Sequence, residues 1–182
     1  MSNEAPKTGV IFAREDCLGV ARRLLIDLVD VLVASISSIA VILIAYLVGG
    51  SEFLWQGGSF LIWAVVWFCY FVLLKGSRYR TFGYVLTKAK IVNLQGERPS
   101  FGQLFIRFLF SVFGPLNFVI DLLWIPSDPS RQALRDKFAG THVVRGSAIP
   151  VGQGRIVFVP YTMFGQSYIF REVRETPSVA AP

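Results

Sequence analysis

The sequence predicts an all-α integral membrane protein with two transmembrane helices, a broken third membrane segment and a short β-hairpin in the C-terminal tail. Three observations lead there. The 182 residues are 53% apolar and only 16% charged, whereas a soluble domain carries about a quarter of its residues as charges. The scarce charge is segregated: residues 31–51 hold none, and neither do residues 53–74. Uncharged apolar runs of about 18 or more residues are long enough to cross a bilayer. Such hydrophobicity also excludes a disordered chain. The net charge of +6 would suggest nucleic acid in a soluble domain. In a membrane protein it reads as the bias of basic residues towards the cytoplasmic side.

The elements follow in order. Residues 1–21 form a polar arm. The first helix covers about residues 24–48 and stops at Gly49, Gly50 and Ser51. It is longer than the roughly 7–15-residue apolar core of a signal peptide and lacks an A-x-A-like end, so it is expected to be retained. The second helix covers about 53–74 and is firmest from Phe60. Its Trp63 and Trp67, one turn apart, suit packing or lipid contact better than a cofactor. Residues 75–103 are amphipathic and basic, with a turn at 93–96 and a breaker at Pro99. The third apolar segment, 104–125, contains Arg107 and Asp121, is interrupted at Gly114-Pro115, and ends at Pro126, Asp128 and Pro129. The chain thus divides into an arm (1–21), a membrane domain (22–145) and a tail (146–182). In the tail, 155–159 and 167–173 mix β-branched and aromatic residues around a turn and are expected to form the hairpin. Residues 176–182 are expected to be a frayed end.

Charge sets the orientation. The arm carries Lys7, Arg14, Arg22 and Arg23, the loop 49–59 carries no Lys or Arg, and 75–103 carries Lys75, Arg78, Arg80, Lys88, Lys90 and Arg98. The N-terminus and 75–103 are therefore expected in the cytoplasm. Lys75, Arg78, Arg80, Lys88 and Lys90 lie beside a helix end, which favours anionic lipid headgroups over nucleic acid. If 104–125 crossed fully, the basic tail with Arg131, Arg135, Lys137, Arg145, Arg155, Arg171 and Arg174 would lie outside. Each half of that segment is about ten residues, roughly 15 Å of helix. A re-entrant hairpin, permitted where protein buries the break, would return the tail inside. It is preferred to a third span.

Ionisable groups inside apolar segments are costly and face protein or water. On the first helix Arg23, Asp27 and Asp30 lie within about 60° of one another, and Ala34 and Ser37 continue the stripe. Arg107, Asn117 and Asp121 of the third segment are available to pair with it. Two readings follow. Asp30, with Asp27 as helper and Arg23 or Arg107 as counter-charge, could relay an ion or proton. Alternatively the charges form a buried network that locks helix packing. Cys17 and Cys69 are too far apart in this layout to bridge. No H-E-x-x-H, C-x-x-C, G-x-S-x-G or Walker A sequence is present. No metal, no cofactor and no enzymatic activity are expected.

Residues 22–30, R-R-L-L-I-D-L-V-D, resemble the first helix of the RDD family of small membrane proteins, with Arg23 and Asp30 matching by spacing. Thr81-Phe82-Gly83 and Lys90-Ile91-Val92, continued by Gly96, Ser100 and Arg107, resemble that family's T-x-G-K…R-V-V stretch. Residues 131–141, R-Q-A-L-R-D-K-F-A-G-T, resemble its R-Q-x-L-H-D-K-x-A-G-T signature, with Asp136 as the second aspartate. Tyr84 stands where the family often has Lys. Arg135 stands where it often has His, replacing a group that titrates near neutrality by a fixed charge. The resemblance, covering about 18–145, implies a protein of the bacterial cytoplasmic membrane, with a suggested transport role. Two or three helices enclose a pathway poorly, so transport requires a homo-oligomer. The competing expectation is a non-catalytic scaffold or accessory subunit of a membrane complex.

Overall fold

The computed structural model describes residues 8–49, 51–52, 57–112, 115–163 and 165–175. Lys7, Gly50, Gly114 and the expected frayed end 176–182 lie outside the described residues, as do the side chain of Asn117 and the expected helix start at 53–56. The chain forms two compact units, one of residues 21–88 and one of residues 1–20 with 89–182.

The 21–88 unit is helical. α1 (Val20–Gly49) runs uninterrupted because neither Gly nor Pro occurs before its last residue. Its buried positions are Arg23, Ile26, Asp27, Asp30, Ala34 and Ser38, spaced by three and four residues. Leu32 is 60% exposed and Val48 84%. The helix therefore hides a polar stripe and shows an apolar surface, the reverse of a helix on a water-soluble core. Ser38, next to the expected Ser37, continues the stripe, and its hydroxyl donates to the Ala34 carbonyl at 2.8 Å.

α2 (Ser59–Phe68) passes into a π-helical turn (Cys69–Leu74). No residue of α2 is buried, whereas the π turn buries Tyr70, Phe71 and Val72 in succession. The rings of Phe60, Trp63, Trp67 and Phe71 form a ladder with centroids 5.9, 4.7 and 5.3 Å apart. α3 (Phe82–Leu86) is a single short helix flanked by Arg80 and Lys88, both in the left-handed backbone region at φ 60° and 52°.

The other unit mixes strands and helices. β2 (Ala89–Asn93) pairs antiparallel with β3 (Thr141–Arg145), Ile91 opposite Val143. After β2 the Asn93 side-chain oxygen accepts from the amides of Gln95 and Glu97 at 3.0 and 2.9 Å, closing the turn. α4 (Phe101–Val112) starts with a reciprocal cap: the Gln103 amide donates to the Ser100 hydroxyl, and the Ser100 amide donates to the Gln103 side chain. α5 (Pro115–Ser127) and α6 (Leu134–Ala139) follow. β1 (Thr8–Phe12), β4 (Pro150–Met163) and β5 (Gln166–Glu175) form an antiparallel sheet in the order β1-β4-β5. Phe12, Cys17, Val92, Val144 and Ala148 make a small apolar core. Phe138 of α6 meets Phe170 edge-on at 4.9 Å, and Trp124 of α5 meets Tyr161 at 5.8 Å.

The all-α expectation is overturned. Among the described residues 53% are helix and 25% strand, the strands in two antiparallel sheets. Hydropathy detects long apolar runs, and β2 and β3 are five-residue strands set among basic residues. Their β-branched pairs acquire meaning only when the two are laddered across the intervening helices. The tail hairpin is present but longer than expected, Pro150–Met163 with Gln166–Glu175.

The expectation of two transmembrane helices is corrected too. Only α1, over Val20–Val48, is long and apolar enough to cross a membrane among the described residues. Ser59–Leu74 is a shorter apolar helix among the described residues. The third segment is two helices of 12 and 13 residues, each under about 20 Å at roughly 1.5 Å per residue. Because β2 and β3 belong to one ladder, the chain between them begins and ends on the same side of any bilayer. The β1–β4 ladder likewise ties the arm to the tail.

Candidate functional site

Asp30 is fully buried, with 0% exposure. Its Oδ2 accepts from the Thr81 hydroxyl at 2.6 Å. Its Oδ1 accepts from the Gly83 amide at 2.8 Å and the Tyr70 hydroxyl at 3.1 Å. The Phe82 amide donates in turn to the Tyr70 oxygen at 3.2 Å. These contacts share one logic. The first amides of any helix lack partners within it. Thr81 is the N-cap residue of α3 but makes no side-chain cap; its hydroxyl goes to Asp30 instead. Asp30, from another helix, binds the second amide of α3 and does the capping, where a negative group is favoured by the helix dipole. Gly83 is required for this approach. A Cβ there would lie 2.5 Å from the Ile26 carbonyl oxygen and 2.9 Å from Asp30 Oδ1.

A second carboxylate cage surrounds α6. Its N-cap is Ala133, which has no polar side chain. Asp121 of α5 takes its place, accepting from the Arg135 amide at 2.8 Å while its other oxygen pairs with Arg135 Nε at 2.9 Å. Asp136 reaches back to the Ala133 amide at 3.1 Å and pairs with Arg107. Arg107 also donates to the Thr141 hydroxyl at 2.8 Å. Gln103 binds the carbonyls of Ala139 and Gly140 at 2.9 and 3.0 Å, and Gln132 binds that of Thr141 at 2.9 Å. Gly140 ends α6 in the left-handed region, φ 63°. The 131–141 signature is thus a set of packing instructions, nearly all of it buried.

The third member is Lys137. Its ammonium contacts Asp128 at 2.6 Å, Glu172 at 2.5 Å and the Tyr161 hydroxyl at 3.4 Å. The Tyr161 hydroxyl donates to the same Glu172 oxygen at 2.5 Å. This cluster joins α6 to the tail hairpin. Burial alone would lower the Lys137 pKa, but hydrogen bonds to Asp128 and Glu172 outweigh it and hold the ammonium above its ordinary value. Burial would raise the Glu172 carboxyl, but Lys137 and Tyr161 outweigh it and hold the group below its ordinary 4.5. The Glu172 contribution to stability is therefore complete above pH 4.5 and is lost as pH falls through the lowered value. That of Lys137 is complete below 10.5 and is lost only above it. The thermal midpoint should fall on acidification below pH 4.5, and Glu172→Gln should remove that part of the decline. An equally steep acid decline in Glu172→Gln would show that other carboxylates carry it.

The remaining expected residues fall as follows. Arg23 and Asp27 are buried on the α1 stripe. Lys75 sits over the rings of Phe71 and Tyr84 at 5.3 and 4.9 Å. Tyr84, where the resemblance leads one to expect Lys, is thus the apolar floor under a cation. Lys90 donates to the Ala148 carbonyl at 3.0 Å, inside its unit. Arg78 lies over Tyr79, and Arg78, Arg80 and Lys88 are exposed. Cys17 and Cys69 form no disulfide. Sequence reasoning missed Tyr70, Gln103, Gln132 and Glu172 as site residues. A lone phenol in an uncharged apolar run was the available signal for Tyr70; Glu172 gave none.

The RDD family model matches residues 18–140. No curated protein and no solved structure gives a match.

Proposed function

The chain belongs to the RDD family, and on that premise we propose that it is a non-catalytic scaffold or accessory subunit of a membrane complex. A membrane location is consistent with the family and with α1. In this reading the protein sits in the bacterial cytoplasmic membrane with arm and tail in the cytoplasm, and exposed Arg78, Arg80 and Lys88 meet anionic headgroups. One observation carries the scaffold role. The two carboxylates whose partners are described within the apolar helices are occupied by protein donors, Asp30 by three and Asp121 by two. Transport through an oligomer would require Asp30 to exchange those donors for a cargo.

Reconstitution tests this directly. Liposomes holding the chain alone should pass protons and alkali cations no faster than empty ones, while native purification in mild detergent should yield a stoichiometric complex. Flux above the empty-vesicle rate that Asp30→Asn abolishes would overturn the scaffold role in favour of transport. A reporter fused after Pro182 should read as cytoplasmic; an external reading overturns the orientation.

A further inference from the structure

We propose that the three-stranded sheet carries a phosphate-binding site built by Arg155 and Arg174. The sheet is assembled from both ends of the chain: β1 precedes residues 18–140 and β4 and β5 follow them. The family match therefore does not account for it. Its register sets Thr8, Arg155 and Arg174 in one row across the three strands. All three are exposed. Directly opposed residues of antiparallel strands project to the same face with Cβ atoms about 5 Å apart, and like charges so placed oppose folding.

Among the described residues no other cross-strand pair sets like charges opposite each other. Arg107 faces Asp136, Arg135 faces Asp121, and Lys137 faces Asp128 and Glu172. Within the same hairpin Arg171 lies opposite Phe158, and Glu172 opposite Val157. Among the described residues neither Arg155 nor Arg174 makes a salt bridge. Glu172, two residues from Arg174 on the same face, feels the field of Arg174, but it spends one oxygen on both Lys137 and Tyr161 and makes no salt bridge with Arg174. Glu175 lies opposite Gly154, one residue out of phase and so on the other face. What remains is a pair of guanidinium forks beside a hydroxyl. That set suits an anion with three or more oxygens, since each fork can take two in parallel and the hydroxyl another. A phosphate group has this chemistry, whether in a phospholipid headgroup or a free phosphate compound.

The full chain in neutral detergent micelles tests the site. Calorimetric titration at low ionic strength would use dioctanoyl phosphatidylglycerol and, separately, inorganic phosphate. Saturable binding is expected for at least one, weakened about tenfold or more in Arg155→Gln/Arg174→Gln, since a hydrogen bond to a charged group is worth about that factor. Binding of the lipid alone identifies a headgroup site; binding of inorganic phosphate identifies a site for free phosphate compounds. Without ligand, Arg155→Gln should raise the thermal midpoint by relieving the repulsion. No saturable binding of either probe, equal binding by the double variant, or a lowered midpoint in Arg155→Gln would overturn the proposal.

Discussion

Gly83→Ala should remove most of the stability of the 21–88 unit. The added Cβ would meet the Ile26 carbonyl oxygen at 2.5 Å and the Ile26 Cα at 2.9 Å. Both are backbone atoms of a continuous helix and cannot swing aside as a side-chain end could. α3 must instead retreat from α1, which breaks the Gly83 and Thr81 bonds to Asp30. The overpacking and the lost bonds together should cost about 3 kcal/mol or more. Asp30→Ala should approach the same loss from the other side, leaving the Thr81, Gly83 and Tyr70 donors without their acceptor. Asp30→Asn should be milder, about 1–2 kcal/mol. Its oxygen can still accept from Gly83 and Tyr70, and its amide can donate to the Thr81 hydroxyl, which turns to accept. The order Gly83→Ala and Asp30→Ala well below Asp30→Asn, itself below wild type, should appear in thermal midpoints and in the folded fraction recovered in detergent. Tolerance of Gly83→Ala would mean that the close approach of α3 to α1 is not what holds the unit together.

This cage shows how far the sequence could be read. The 3.6-residue period placed Arg23, Asp27 and Asp30 on one stripe, and that stripe is buried as periodicity alone requires. The same argument could not say what Asp30 meets. Its partners are 40, 51 and 53 residues away, and they are two hydroxyls and a backbone amide, which carry no charge to look for. Asp121 stands out in the sequence for its charge in an apolar run, whereas its purpose is set by Ala133, an N-cap residue with no polar side chain. Two acids in two apolar helices thus do one job, each accepting an amide at the start of a short helix whose own N-cap side chain does not. That job is invisible until α3 and α6 are recognised as helices, and five or six residues are too few for a periodic signal. The strands were lost for a related reason. β2 and β3 are short, and β1 finds its partner β4 only from the far end of the chain.

Asp136→Asn should be the most damaging single change in the other unit. Asp136 has 0% exposure and faces Arg107, itself 3% exposed. Substitution removes the counter-charge of a buried guanidinium, and breaking one side of such a pair costs about 3–5 kcal/mol. The amide also cannot serve both sides. If its oxygen stays on the Ala133 amide, its NH2 group points at Arg107; if it turns, the NH2 group meets the Ala133 N–H. Arg107→Lys should fall between, because an ammonium keeps the charge but sits on a shorter side chain than the one whose Nη1 reaches both Asp136 and Thr141. The decisive variant is the double, Arg107→Met/Asp136→Asn. Once the cation is gone the asparagine can turn its oxygen to Ala133 without penalty, so the double should be more stable than Asp136→Asn alone by about 2 kcal/mol. A double-mutant cycle on thermal or denaturant midpoints reads this coupling. Additive losses would mean that the two residues act separately and that Asp136 matters mainly as the cap of α6. A double variant more stable than either single would establish that the burden lies in the unpaired charge, and that the signature 131–141 is kept together by electrostatic neutrality as much as by shape.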